Sequence, residues 1–297
     1  VPAYRTKKEH LEAMLNSVSR QSYPHWELIV ADAGGTAESV QAWAKKNGIC
    51  LRKAADASNL AEWKDQSIVL CTLSENKGIS ANTNAGIELA AGDAVGLLDH
   101  DDLLTANALW EMADCLEKEK KRGKQKLVLF SDEDKCDGAA SRFYEPNFKL
   151  DFDGELLLTN NYICHFTVIE TAFLKELKLR SGFDGAQDYD LMLRAYAAGG
   201  QFVHVPKVLY HWRCHEASTA SNPQSKRYAY EAGQRALEDY CLRKGWKATV
   251  SGLKHLGFYR EDYEDSVFCQ RPEIGIWAKP LPGGRDVLAS GIRKASW

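Results

Sequence analysis

The sequence predicts an α/β fold, a doubly wound and mostly parallel sheet, from two observations. Short apolar runs at 26–31, 68–71, 95–98 and 127–130 alternate with amphipathic or small-residue segments. That alternation is the pattern of βαβ units. Several of the runs also end abruptly in acid, at Asp32, at Asp99-His100-Asp101-Asp102 and at Asp132-Glu133-Asp134. In open α/β sheets, ligands bind just beyond the carboxyl ends of such strands.

The elements follow in order. Val1-Pro2-Ala3-Tyr4 reads as the end of a strand whose apolar start is absent. Thr6-Lys7-Lys8-Glu9 has the form of a capping box, and Leu11, Met14, Leu15 and Val18 recur on one helical face. A strand over 26–31 ends at Asp32-Ala33-Gly34-Gly35, and a second helix runs from Thr36 to Gly48. Ile68–Cys71 reads as a third strand. The polar turn 74–84 enters a small-residue helix that ends near Gly92. The run 95–98 reads as a strand buried on both faces of the parallel sheet. Right-handed crossovers then place Asp32 and Asp99 to Asp102 along one rim.

Further on, the pattern predicts a helix over 107–122 and a strand over 127–130 that stops before the acids. It also predicts a strand over 162–169, a helix from Gln187 to Ala198, a strand over 202–205 and a helix over 226–244. The expected division is a main domain over 1–248, in halves 1–105 and 106–248. A short-strand appendage covers 249–297, whose end at Trp297 reads as cut.

Bulk properties narrow the function. The chain has 297 residues, 44% hydrophobic and 27% charged, with a net charge of −3. That balance gives no case for nucleic acid as a partner. No apolar run is long enough to span a bilayer. Eight cysteines are scattered with no C-x-x-C pair, so zinc has little support. Free thiols in a reducing, cytoplasmic setting are expected. The basic run Lys118–Lys126 reads as a solvated helix end; contact with an anionic membrane surface is the alternative.

Three carboxylates at one strand end repel one another unless a cation lies among them. Mg²⁺ or Mn²⁺ suits oxygen ligands and is commonly shared with a substrate's phosphates, so Asp99–Asp102 predicts a site for a metal-chelated diphosphate. The plain alternative is an N-cap for the next helix. Asp32 is either a turn residue or an acceptor for a pyrimidine N3–H. Asn76, Gly78 and Asn82 open a helix whose N–H groups can face phosphate or a base; simple turn chemistry is equally consistent. Asp188, in Gln187-Asp188-Tyr189-Asp190, is a candidate general base, against a role in complementing the helix dipole. His211, Arg213 and His215 after a strand suit a diphosphate and its metal.

Together these residues resemble the family 2 glycosyltransferases of GT-A fold. The matching pieces are Val1–Tyr4, Asp32-Ala33-Gly34, Asn76-x-Gly78-x-x-x-Asn82, Asp99-His100-Asp101, Gln187-Asp188-x-Asp190-Leu191 and Trp212-Arg213-x-His215. Ser131–Lys135, Asn161–His165 and Tyr210–Arg213 further resemble bacterial members that build cell-surface polysaccharides. The resemblance implies an inverting transfer from a UDP-, dTDP- or GDP-sugar to a glycan or lipid-linked acceptor. Asp188 would be the base, Asp101 and His215 metal ligands for Mn²⁺ or Mg²⁺. Pro2, Tyr4, Asp32, Asn76, Gly78, Asn82, Asp99 and Arg213 would bind the nucleotide. Asp132, Glu133, His165, Gln187 and Trp212 would face the acceptor, with the protein cytoplasmic or peripheral at the inner membrane face. The family's usual Glu-Asp pair is Gln187-Asp188 here. A nucleotidyltransferase and a catalytically silent nucleotide-sugar-binding domain of a larger polymerase are the alternatives.

Overall fold

A computed structural model describes residues 1–55, 64–214 and 227–264. The first sheet is wholly parallel, in the order β1 (Pro2–Ala3), β2 (Glu27–Asp32), β4 (Ser67–Thr72), β3 (Cys50–Lys53). Helices α1 (Lys8–Ser19) and α2 (Ala37–Asn47) connect its strands. The apolar face of α1, Leu11, Met14, Leu15 and Val18, is buried as its spacing predicts. Gly48 closes α2 in the left-handed region, at φ 67°. Strand β3 was missed, because the exposed Cys50 and charged Arg52 and Lys53 hide its alternation. The capping box is not formed: α1 starts after Lys7 with no side-chain cap, and the buried Thr6 hydroxyl has no partner among the described residues.

The second sheet is mixed, in the order β5 (Ala94–Leu97), β9 (Thr167–Glu170), β7 (Leu127–Cys136), β10 (Gln201–Arg213), β6 (Leu103–Leu104), with β8 (Phe143–Asn147) on β7. Only β7 and β10 are parallel neighbours in it. The run 95–98 therefore leaves the parallel sheet: β5 pairs antiparallel with β9, and its Gly96 is exposed. Strand β7 continues through the acids to Cys136, and β10 runs on to Arg213, both beyond their expected ends. The strand expected over 162–169 begins only at Thr167.

Helices cover both sheets. One core gathers α1, α2, the first sheet and α4 (Ala108–Lys121). The other gathers β7 and β9 with α5 (Gly154–Thr159), α6 (Thr171–Leu177), α7 (Gln187–Ala197) and α8 (Arg227–Arg243). Helix α3 (Ile79–Leu89) lies on β2, close enough that a Cβ at Gly86 would be 3.6 Å from Ile29. The described part of the tail forms an antiparallel hairpin, β11 (Ala248–Gly252) and β12 (Tyr259–Tyr263), whose Val250 and Tyr259 enter the second core. Strands β5 and β6 both belong to the second sheet.

No helix among the described residues is long and apolar enough to cross a membrane. No disulfide joins two of the described cysteines. In the basic run, Lys118, Lys121, Arg122 and Lys124 pair with Asp114, Glu117 and Glu119, the pattern of a solvated helix end.

Candidate active site

Four segments converge at one rim: the turn after β5, the loop 161–165 before β9, the first turn of α7 and the end of β10. Ligand atoms of Asp99, Asp102 and His165 all lie within 4.8 Å of one another. Asp102 is buried, and its Oδ2 accepts from the Tyr210 hydroxyl at 2.6 Å while Oδ1 accepts from the Arg213 N–H at 2.7 Å. Burial, then the carboxylates of Asp99 and Asp101, push Asp102 well above the usual carboxylate range; the Tyr210 and Arg213 bonds oppose this. The His165 ring stacks on Tyr210 at 4.7 Å and meets the Trp212 edge at 5.8 Å.

Asp188 begins α7 within reach of the same rim. Its Oδ2 accepts from Asn161 Nδ2 at 2.8 Å and from the Cys164 thiol at 3.6 Å. Burial first, then Asp188 and other carboxylates, raise Cys164 well above an ordinary thiol, so it stays protonated. Gln187 accepts from the Gly185 N–H at 2.8 Å, which shapes the turn entering α7. Beneath the loop, the buried Lys149 ammonium donates to the Ile163 carbonyl at 2.6 Å and to the His165 carbonyl.

A cavity of about 970 Å³ reaches part of this rim. Asp99, Cys164, His165, Gln187 and Asp188 line its polar end. Its remaining walls are largely apolar and run between β2 and β5, strands of two sheets not hydrogen-bonded to each other. Pro2 lines that part of it.

Several expected site residues are used by the fold itself. Asp32 is buried and accepts backbone N–H bonds from Gly34, Thr36 and Ala37, which builds the turn into α2. Tyr4 is 39% exposed, with its ring against Gly34. Asn76 Oδ1 accepts from Gly78 N–H and Asn82 Nδ2, so this turn holds itself together. At the start of α3, Asp184 accepts from the Ser80 N–H at 3.3 Å.

Arg213 departs from its expected place on the diphosphate. It is 2% exposed and donates to the carbonyls of Asp101 and Gly138. Asp132 and Glu133 depart from the acceptor face, because β7 continues and turns them inward. Asp132 accepts from the Lys149 N–H and meets His204 Nε2 at 2.8 Å, and Glu133 accepts from Asn147 and Lys149. Asp101 contributes no ligand atom to the three-residue cluster; its place there is taken by Asp102. His215 lies outside the described residues. His211 is 2.5 Å from Asp134.

Sequence reasoning missed Lys149, Tyr210 as the partner of Asp102, and Asp184. No sequence signal marked Lys149: Phe148-Lys149-Leu150 reads as a lysine facing water between two buried apolar residues, whereas Phe148 and Leu150 are 72% and 66% exposed and the lysine is buried.

The model of the family "Glycosyl transferase family 2" matches residues 1–178. An uncharacterized protein of Sinorhizobium fredii, y4gI, is 36% identical over 251 residues, 84% of this chain and 26% of that protein. The O-antigen biosynthesis protein RfbC of Myxococcus xanthus is 33% identical over 251 residues, 84% of this chain and 18% of that protein. The chain thus spans about a quarter or less of the length of these relatives. The fold resembles that of S. aureus TarS crystallised with UDP-GlcNAc, with a TM-score of 0.58 at 19% identity, covering 81% of this chain and 65% of that one.

Proposed function

The chain belongs to glycosyl transferase family 2, and from that premise we propose that it transfers a sugar, with inversion, from a nucleoside-diphosphate sugar to an acceptor hydroxyl. One observation carries the reading: a carboxylate suited to a base, Asp188, lines one cavity together with Asp99 and His165, two members of a donor cluster for a cation whose third, Asp102, lies buried behind them. Resemblance to RfbC supports a polysaccharide product and that to UDP-GlcNAc-bound TarS a nucleoside-diphosphate sugar donor, for which UDP-, dTDP- and GDP-sugars are the candidates. A glycan or lipid-linked molecule is the proposed acceptor.

Asp188 takes the proton of the acceptor hydroxyl as that oxygen bonds to the anomeric carbon. The bond from that carbon to the diphosphate oxygen breaks, and its electron pair leaves with the nucleoside diphosphate. A single displacement of this kind inverts the anomeric centre. Two carboxylates and an imidazole suit a divalent cation, and the imidazole favours Mn²⁺ over Mg²⁺. Asp99, Asp102 and His165 are the residues that would hold it, with Asp101 adjacent. Such an ion supplies charge neutralisation to the departing diphosphate.

Gln187, in the place of an acid, supports a second reading: a domain that binds the donor without turning it over. Calorimetric titration of UDP, GDP and dTDP, each with Mn²⁺ and with EDTA, tests the site. Metal-dependent binding of one nucleotide is expected; no binding to the folded protein overturns the donor site. Binding without turnover of any matching sugar nucleotide favours the second reading.

A further inference from the structure

We propose that Asn161 and Cys164 hold the Asp188 carboxylate by one oxygen, Oδ2, and thereby make Oδ1 the atom that accepts the acceptor's proton. The inference rests on the reading of Asp188 as the base. Two donors converge on Oδ2, the Asn161 amide at 2.8 Å and the Cys164 thiol at 3.6 Å. Among the described residues Oδ1 accepts no hydrogen bond, so its lone pairs are the ones left for a substrate proton.

The surroundings are built for this contact. Turned over, Asn161 would present its carbonyl to a carboxylate, so the amide nitrogen is the end that faces Asp188. The cost is visible at the other end, where the buried Asn161 Oδ1 has no partner among the described residues. Cys164 holds a left-handed backbone, φ 32°, which residues other than glycine rarely adopt. Strain of that kind persists where neighbours enforce it. Lys149 does so by donating to the carbonyls of Ile163 and His165, the residues on either side of Cys164. His165, next in the chain, presents its imidazole to Asp99 and Asp102. One clamped turn therefore orients the base and the cation cluster together. Orientation of a reacting group is worth large factors in rate, and small misplacements are costly.

Asn161 and Cys164 are thus positioning residues, and their effect belongs in kcat. The assay is nucleoside-diphosphate release from UDP-, dTDP- and GDP-sugars with Mn²⁺ and water as acceptor. D188N should fall to background. N161A and C164A should lower kcat by about 10- to 100-fold, with KM and melting temperature at wild-type values. C164S, whose hydroxyl can still donate, should recover most of the loss. In infrared spectra, the Cys164 S–H stretching band, assigned by its disappearance in C164A, should shift in D188N.

Wild-type kcat in N161A and C164A, with D188N inactive, would overturn this inference alone. So would an unshifted S–H band, or a C164A loss that follows melting temperature and is not recovered in C164S. An active D188N, or no release by the wild type from any donor, would instead overturn the reading of Asp188 as base, and this inference with it.

Discussion

The Tyr210 hydroxyl donates to Asp102 at 2.6 Å, and both residues are buried from water. The bond ties the last residues of β10 to the acidic turn after β5. Tyr210→Phe leaves Asp102 with the Arg213 N–H as its remaining donor. The expected loss is about 1–3 kcal/mol of stability, read by denaturant unfolding. An unchanged midpoint would show that this bond does not support the turn.

Lys149 is the buried cation under the Asn161–His165 loop, 3.5 Å from Glu133. Lys149→Met removes both carbonyl clamps and leaves Glu133 with less compensation. A loss of about 3 kcal/mol is expected, together with faster amide exchange across 161–165. Exchange at the wild-type rate would exclude the clamp.

Gly78 has φ 94°, and a Cβ there would come within 2.3 Å of Asp184 Oδ2. Gly78→Ala therefore strains the backbone and expels the carboxylate that caps α3. A cost of about 1–3 kcal/mol is expected. Asp184→Ala in the same chain should recover part of it by removing the clash. Equal stability of the single and double variants would argue against the close approach.

Asp239 gives a pH signature. Burial alone would raise it, but hydrogen bonds from Arg180 and Arg243 prevail and hold it below the usual carboxylate value. A depressed folded pKa stabilises the fold above the unfolded value of about 3.9, and the contribution is lost as pH falls through the folded value. Asp239→Asn should therefore cost about 1 kcal/mol at pH 7. Its difference in melting temperature from wild type should close as pH is lowered through and below about 3.9. A gap that stays constant down to pH 2 would contradict the assignment.

His165→Ala removes the imidazole from the Asp99–Asp102 cluster. Mn²⁺-dependent nucleotide binding should weaken by about 10-fold or more, while binding in EDTA stays at the wild-type level. Equal Mn²⁺ dependence in the variant would take His165 out of the ligand set.

Local patterns made much of the fold legible. The face of α1 and the glycine stop of α2 follow from spacing and backbone freedom alone. Strand β5 was legible as a strand but not in its partner, because an apolar run does not state which edge it will pair with. Asp132 and Glu133 were misread for a related reason. Acids after an apolar run look like a strand end, yet β7 continues, and Lys149 and His204 satisfy them from distant segments.

The sequence by itself determined the α/β class, the acidic turn after β5 and the position of Asp188 in the first turn of a helix. These depend on periodicity and on neighbours within a few residues. Only the tertiary structure decided that Asp102, not Asp101, joins Asp99 and His165, and that Arg213 lies buried behind them. It alone also aimed Asn161 and Cys164 at one oxygen of Asp188. The reason is geometric: adjacent side chains in a turn point apart, and the partner that selects one of them comes from a segment far along the chain.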